Sequence, residues 1–221
     1  MHPKKLSKAF LFLVIFTIFG FIAMVLTSKA GEESKEKQES VKQKASVHDH
    51  DVMMEKWKEF ATPNENHKVL GILVGNWDNT VKSWMSPDGK PEVSKGTSEI
   101  EWIMGGRFIE QAVDGTFMGQ PFEGMGIMGY DNEKKQYQSI WIDNMGTGIM
   151  TGSGNYDPKT KTLTDQGTFS CPAEGQKSYR GVTKIINKDK FTYEMYMAGP
   201  NGKEFRAMEI VYTRKKQSKC S

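Results

Sequence analysis

From Leu70 onward the apolar period of this chain is two, and no helical stretch interrupts it. Ten runs of strand length succeed one another, from "NWDNTVKSW" (residues 76–84) and "VSKGTSEIEWIM" (93–104) to "FTYEMYMA" (191–198) and "EFRAMEIVYTR" (204–214). Turn signals separate them: "SPDGKPE", Gly105-Gly106, "DGTFMGQP", "DNEKK", "NMG", "DPKTK", "KDK" and "PNGK". Alternation of apolar and polar residues marks a strand with one buried face, and Gly, Pro, Asn and Asp between such runs mark hairpins. Short connections leave neighbouring strands no route but antiparallel pairing. Ten strands in one twisted sheet curl and close, which removes exposed edges. The expected fold is therefore all-β: a ten-stranded antiparallel up-and-down barrel over residues 67–216. A short helix over residues 48–66 precedes it, because Val52, Met53, Trp57 and Phe60 recur at helical spacing and Pro63 ends the run.

The chain of 221 residues begins differently. Residues 9–26, "AFLFLVIFTIFGFIAMVL", carry no charge; Lys4, Lys5 and Lys8 precede them, and Ser28-x-Ala30 follows. A basic start, an apolar core and small residues two apart are the layout of a secretory signal peptide, cut here after Ala30. The same 18 residues are long enough to stay as a membrane anchor with the lysines inside. Residues 1–30 are thus a signal peptide or an anchor, and either one places the rest outside the cytoplasm, secreted or in a periplasm. Residues 31–47 are charged and polar and read as a linker, and 217–221 as a polar tail.

Of the 30 Lys and Arg, four lie in the leader, which holds none of the 27 Asp and Glu; the remaining 26 against 27 give −1. The basic balance belongs to the leader, and nothing in the domain's charge suggests a nucleic-acid surface. Contact with membrane is expected only through residues 9–26, if they are retained. Cys171 and Cys220 allow one disulfide or two thiols.

"GMGIMGYD" fits the G-x-G-x-x-G dinucleotide fingerprint at Gly124, Gly126 and Gly129. That motif works only where a helix N-terminus follows to hold the pyrophosphate. Here a turn and another strand follow, so the fingerprint does not apply. Gly124 and Gly126 share one strand face, as do Gly148 and Gly152, with Gly154 in step. Alternate glycines suggest sharp bends at barrel corners, or room left inside for a ligand.

The blocks "HKVLGILVGNWD", "WIMGGRFI", "GQPFEGMGIMGYDN", "YQSIWIDNMGTGIMTG" and "GKEFRAMEIVYTRKK", between His67 and Lys216, resemble the bacterial family called domain of unknown function 1579 (DUF1579). The resemblance implies a lipocalin-like, calycin-type barrel and implies no activity. Gly75-Asn76-Trp77 is similar to the G-x-W that opens the first lipocalin strand, and Arg214 stands where such barrels carry an arginine on the last strand. Trp77 and Arg214 are then expected to form a cation–π pair closing one end, a structural role.

The histidines are His2, His48, His50 and His67, all outside the ten runs. This argues against Ser-His-Asp or Cys-His catalysis, against haem held by a barrel histidine, and against a His-rich metal centre. "HDHD" at residues 48–51 reads as a solvated linker end. No catalytic residue, metal ligand or cofactor is assigned. The carboxylates Glu99, Glu101, Glu110, Asp143, Glu194 and Glu209 are the acids and bases left, most of them solvent-facing partners of Lys and Arg; Glu194 is placed across the "KDK" hairpin from Lys184.

A binding cavity is the favoured reading, with a small, mainly apolar ligand as the expected partner. Tyr137, Ser139, Trp141 and Asp143 share one face, aromatic with polar, as a pocket with orienting groups would. Ile100, Trp102 and Met104 share another, and Met125, Met128, Met150, Met195, Met197 and Met208 add soft, adaptable surface. The candidate lining is Trp102, Trp141, Asp143, Met128 and Met150. The alternatives are a filled barrel serving as a structural or protein-interaction domain of the cell envelope, and a carboxylate-dependent enzyme.

Overall fold

The computed structural model describes residues 49–172 and 175–216. The leader, the linker up to residue 48, the tail with Cys220 and any pairing of Cys220 with Cys171 lie outside the described residues. The chain divides into two units, Met1–Val52 and Met53–Ser221. Of the first, only residues 49–52 are described, and they are helical. Among the described residues no helix is long and apolar enough to cross a membrane.

The second unit is the expected barrel. Its ten strands are β1 (Gly75–Ser83), β2 (Glu92–Ile103), β3 (Phe108–Phe117), β4 (Gln120–Asp131), β5 (Gln136–Asp143), β6 (Met150–Asp157), β7 (Thr162–Cys171), β8 (Gly175–Asn187), β9 (Lys190–Ala198) and β10 (Glu204–Arg214). Each pairs antiparallel with the next, and β10 pairs with β1, so the sheet closes without an edge. The register is continuous from Trp77↔Arg214 to Ser83↔Met208 across that seam. Bulges interrupt the pairing of β9 with β10 at Arg206/Met208 and with β8 at Ile185/Asn187.

Two helices stand before β1. The first (α1, residues 49–61) is exposed along its whole length, its apolar Val52, Met53, Trp57 and Phe60 included. The second (α2, Glu65–Leu70) falls where the sequence reading ran the end of one helix into the start of the sheet. Local chemistry makes it: Asn64 accepts from the Asn66 amide, and His67 Nδ1 accepts from the Asn64 amide at 3.0 Å, a reciprocal cap. His67 is thus a buried capping residue. Asn132, in the β4–β5 turn, donates to the carbonyls of Phe60 (2.8 Å) and Thr62 (2.9 Å) and so satisfies the end of α1.

Parity divides the barrel wall. In β1 the odd positions 77, 79, 81 and 83 face the axis, and the register carries that face round all ten strands. Three expectations fail, two of them at element ends. Gly148 lies in the loop before β6 rather than on a strand. Met104 is in the turn after β2, with φ 50°. Met125 faces outward, because its neighbours Gly124 and Gly126 face in.

Candidate functional site

The two ends of the barrel are built differently. At the α2 end the interior is filled: Leu70, Leu73, Trp77, Ile100, Ile109, Tyr137, Leu163, Phe191 and Tyr212 form one buried cluster. Trp77 is 0 % exposed; its indole donates to the Leu73 carbonyl at 2.8 Å and meets Phe191 edge-on. The Arg214 guanidinium lies 4.0 Å from the Trp77 ring centroid and donates to the carbonyls of Val74 (2.9 Å) and Lys188 (2.9 Å). The expected cation–π closure is there. Gly75 makes it possible: its φ is +135°, and a Cβ there would overlap the guanidinium.

Toward the other end, inward-facing residues stop being fully buried, and polar ones appear among them. Val81, Gln111, Ser139 and Met208 face the axis yet keep accessible surface. Packing is therefore looser toward this end than beside α2.

At mid-height the lining is polar. Asn79 donates to Ser98 Oγ (2.6 Å), and Gln111 Nε2 donates to Ser98 Oγ (3.2 Å) and the Tyr212 hydroxyl (3.3 Å). Across the axis, Tyr179 donates to the Asp165 carboxylate and accepts from Ser139. Tyr193 links the two groups, feeling Asp165 and Tyr179 on one side and Tyr212 on the other. Burial pushes the Asp165 carboxyl above the usual carboxylate range, against the lowering effect of the Tyr179 bond. The same burial pushes the tyrosines up, Tyr212 to about 12.

Glycines shape this belt. A Cβ on Gly152 would overlap the Tyr179 hydroxyl and lie 3.0 Å from both Asp165 Oδ2 and Ser139 Oγ. A Cβ on Gly181 would lie 3.0 Å from Asp165 Cγ and from Tyr193 Cε2. Gly154 and Gly167 clear the remaining approaches. These bare backbones leave room for the wall's own polar side chains to converge.

Above the belt is an apolar mouth. The Trp141 indole lies over Gly124 and Gly126, either of which would meet the ring if it carried a Cβ. Phe122 stacks on the same ring at 6.4 Å between centroids. Gly129 likewise lies under Phe108, on the outer face. The fingerprint glycines are thus seats for aromatic rings from neighbouring strands. Trp141 donates to Asp143 Oδ2 at 2.8 Å, and Met150 is its register partner.

Of the residues expected to line a site, Trp141, Asp143 and Met150 come together at the mouth. Met128 faces the axis and packs against the core cluster. Trp102 is elsewhere: it is 37 % exposed at the closed end, its ring edge beside Gly71. The other carboxylates are on the outer wall. Glu99 and Glu101 are exposed. Glu194 and Glu209 are both held by Arg206, at 2.7 and 2.6 Å. Glu194 stands opposite Val182, and Lys184 opposite Thr192, so the expected Glu194–Lys184 pair does not form. Asp165, Tyr179, Tyr193 and Asn79 were not singled out from sequence. Parity could have found Asp165: it sits in step with Leu163, Gly167 and Phe169, an acid on an otherwise apolar face.

This is a closed ten-stranded antiparallel barrel, sealed at one end and lined at the other by a polar belt beneath an apolar mouth. The chain belongs to the DUF1579 family of proteins of unknown function, which matches residues 62–214. No curated protein matches it in sequence. Among solved structures it is similar to Rv2717c from M. tuberculosis at 12% identity and a TM-score of 0.54, over 70% of this chain and 100% of that one. It is also similar to a redesigned β-barrel, mFAP1, bound to DFHBI, at 16% identity and a TM-score of 0.36, over 66% of this chain and 98% of that one. The first likeness extends to the fold alone; the second is too distant to carry an argument.

Proposed function

We propose that the protein is an exported binding barrel that takes a small molecule with an apolar body and a polar group. One observation carries this reading: inward-facing side chains away from α2 keep accessible surface, and the wall there bears aromatic and methionine side chains above a ring of polar ones. Pockets for small molecules combine these features, an apolar lining with a few placed polar groups. The apolar body would lie along Trp141, Phe122 and Met150, and the polar group would reach the belt. Titration with a broad panel of small apolar molecules, followed by tryptophan emission in the wild type and in Trp141→Phe, tests it. Saturable changes that depend on Trp141 support it; a flat response across the panel rejects it.

Export rests on the lysine-led apolar run that ends at Ser28-x-Ala30. Mass spectrometry of the native protein is expected to find Gly31 as the first residue; Met1 would mean a retained anchor.

A second reading has its own observation. On α1, Trp57 is 59 % exposed and Met53 and Phe60 lie near it, beside a cleft of about 550 Å³ that includes Asn132 and Lys135. An exposed apolar patch of this kind marks an interaction surface. Removing it by Trp57→Glu would abolish partner capture under that reading and leave small-molecule binding intact under the first.

A further inference from the structure

The polar belt has a sign. Asp165 is 7 % exposed, and no Lys or Arg is among the groups that act on it; its only side-chain partner there is the Tyr179 hydroxyl. A buried carboxylate without a cation is costly to keep. Across the belt, Asn79 is 4 % exposed and its Oδ1 has no hydrogen-bond partner at all. Ser98 Oγ already accepts from both Asn79 and Gln111. The belt therefore holds a carboxylate without a cation and an amide oxygen without a donor. Its remaining wall is aromatic: the Tyr193 ring edge meets the Asp165 carboxylate over Gly181, and Tyr179 lies over Gly152 and Gly167.

The charges nearer the two ends do not reverse this. Asp143, at the mouth, is taken by Trp141 and by the Met145 amide. Lys177, in the inward register at the rim opposite Phe169, has interactions of its own. Arg214 is spent at the closed end on Trp77 and backbone carbonyls.

We infer that the ligand is an organic amine, protonated at neutral pH, whose ammonium group sits between Asp165, Tyr179 and Tyr193 while its apolar body fills the mouth beside Trp141 and Met150. This deepens the binding reading above and rests on it. An ammonium group supplies charged donors to the carboxylate and the charge it lacks. A fatty acid would bring a second carboxylate into the same low-dielectric space, where like charges repel.

The test compares three compounds that share one apolar body: phenylbutylamine, phenylbutanol and phenylbutanoate. Each is titrated calorimetrically into the full chain at neutral pH, with the wild type and with Asp165→Asn, and repeated with hexyl and decyl bodies. The amine is expected to bind about tenfold or more tighter than the alcohol, and the carboxylate more weakly than either. Asp165→Asn, which can still accept from Tyr179, is expected to bring the amine down to the level of the alcohol. Three heads binding alike, a carboxylate preferred, or an amine preference that survives in Asp165→Asn would each overturn the amine assignment while leaving a binding barrel. No binding by any head on any body would overturn both. The wild-type ranking reads out the assignment without the variant.

Discussion

Trp77 and Trp141 both point into the barrel, and their surroundings could hardly differ more. Trp77 is enclosed on all sides, its one polar atom is satisfied by the Leu73 carbonyl, and Arg214 covers it. Trp141 lies on bare backbone at Gly124 and Gly126, half-buried, with Phe122 stacked on it. The same division runs through the whole interior. The α2 half spends its side chains on packing; the other half keeps glycines, an uncompensated carboxylate and an orphan acceptor. Closure by hydrogen bonds around all ten strands holds both halves to one frame. A frame secured at one end lets the other tolerate features that packing alone would not select.

The largest effect that sharpens this contrast is a matched pair of truncations. Trp77→Ala is expected to cost about 3–5 kcal/mol of unfolding free energy, the usual range for a buried Trp, and Trp141→Ala less than about half of that because it is only half-buried. Chemical denaturation of both variants measures it. Equal losses would mean that the mouth is packed as tightly as the floor.

Asp165→Asn is next, and its sign is opposite. Burial raises the carboxyl's value in the folded state above its ordinary 3.8, so the folded chain holds that proton more tightly than the unfolded one. The group then weakens the fold as pH rises from about 3.8 through the raised value, and the full penalty remains above it. The variant is expected to be about 1–2 kcal/mol more stable than wild type at neutral pH, with the difference vanishing near pH 3. Melting both proteins across that pH range checks it. A variant less stable at neutral pH would make Asp165 a structural residue.

The smallest effect concerns the outer wall. Arg206 joins Glu194 and Glu209 and covers the Trp84 ring at 4.7 Å, all partly exposed. Arg206→Ala is expected to cost no more than about 1 kcal/mol, less in high salt, and to leave ligand affinity unchanged. A larger loss of affinity than of stability would move the site to the outside of the barrel.

The strand order, the closure and the Trp77–Arg214 pair were legible because each rests on a local pattern: period-two alternation, turn residues, a G-x-W and a late arginine. The inward direction of Trp141 was legible because parity within β5 puts it on the face of Tyr137; Met150 joins it only through the β5–β6 register. What escaped was everything that depends on several strands at once. Parity marks Asp165 as an acid in step with Leu163 and Phe169, but only register places Gly154 and Gly181 beside it. The glycines pointed to empty space, but the space at Gly124 is taken by an indole and that at Gly152 by a hydroxyl, from residues 17 and 27 positions away. Trp102 was misplaced by height rather than by face: alternation tells in from out and says nothing of which end of the axis a residue occupies.

The interior claim is tested most directly by placing a ligand. With methionine methyl groups isotopically labelled, phenylbutylamine is titrated into the full chain and the methyl resonances are followed by NMR. Met150, Met195 and Met208 face the axis above the belt and are expected to shift together and saturate, while Met85, Met104 and Met118, in exposed turns, stay still. Shifts confined to Met53 and Met54 on α1, or none at saturating ligand, would contradict an interior site.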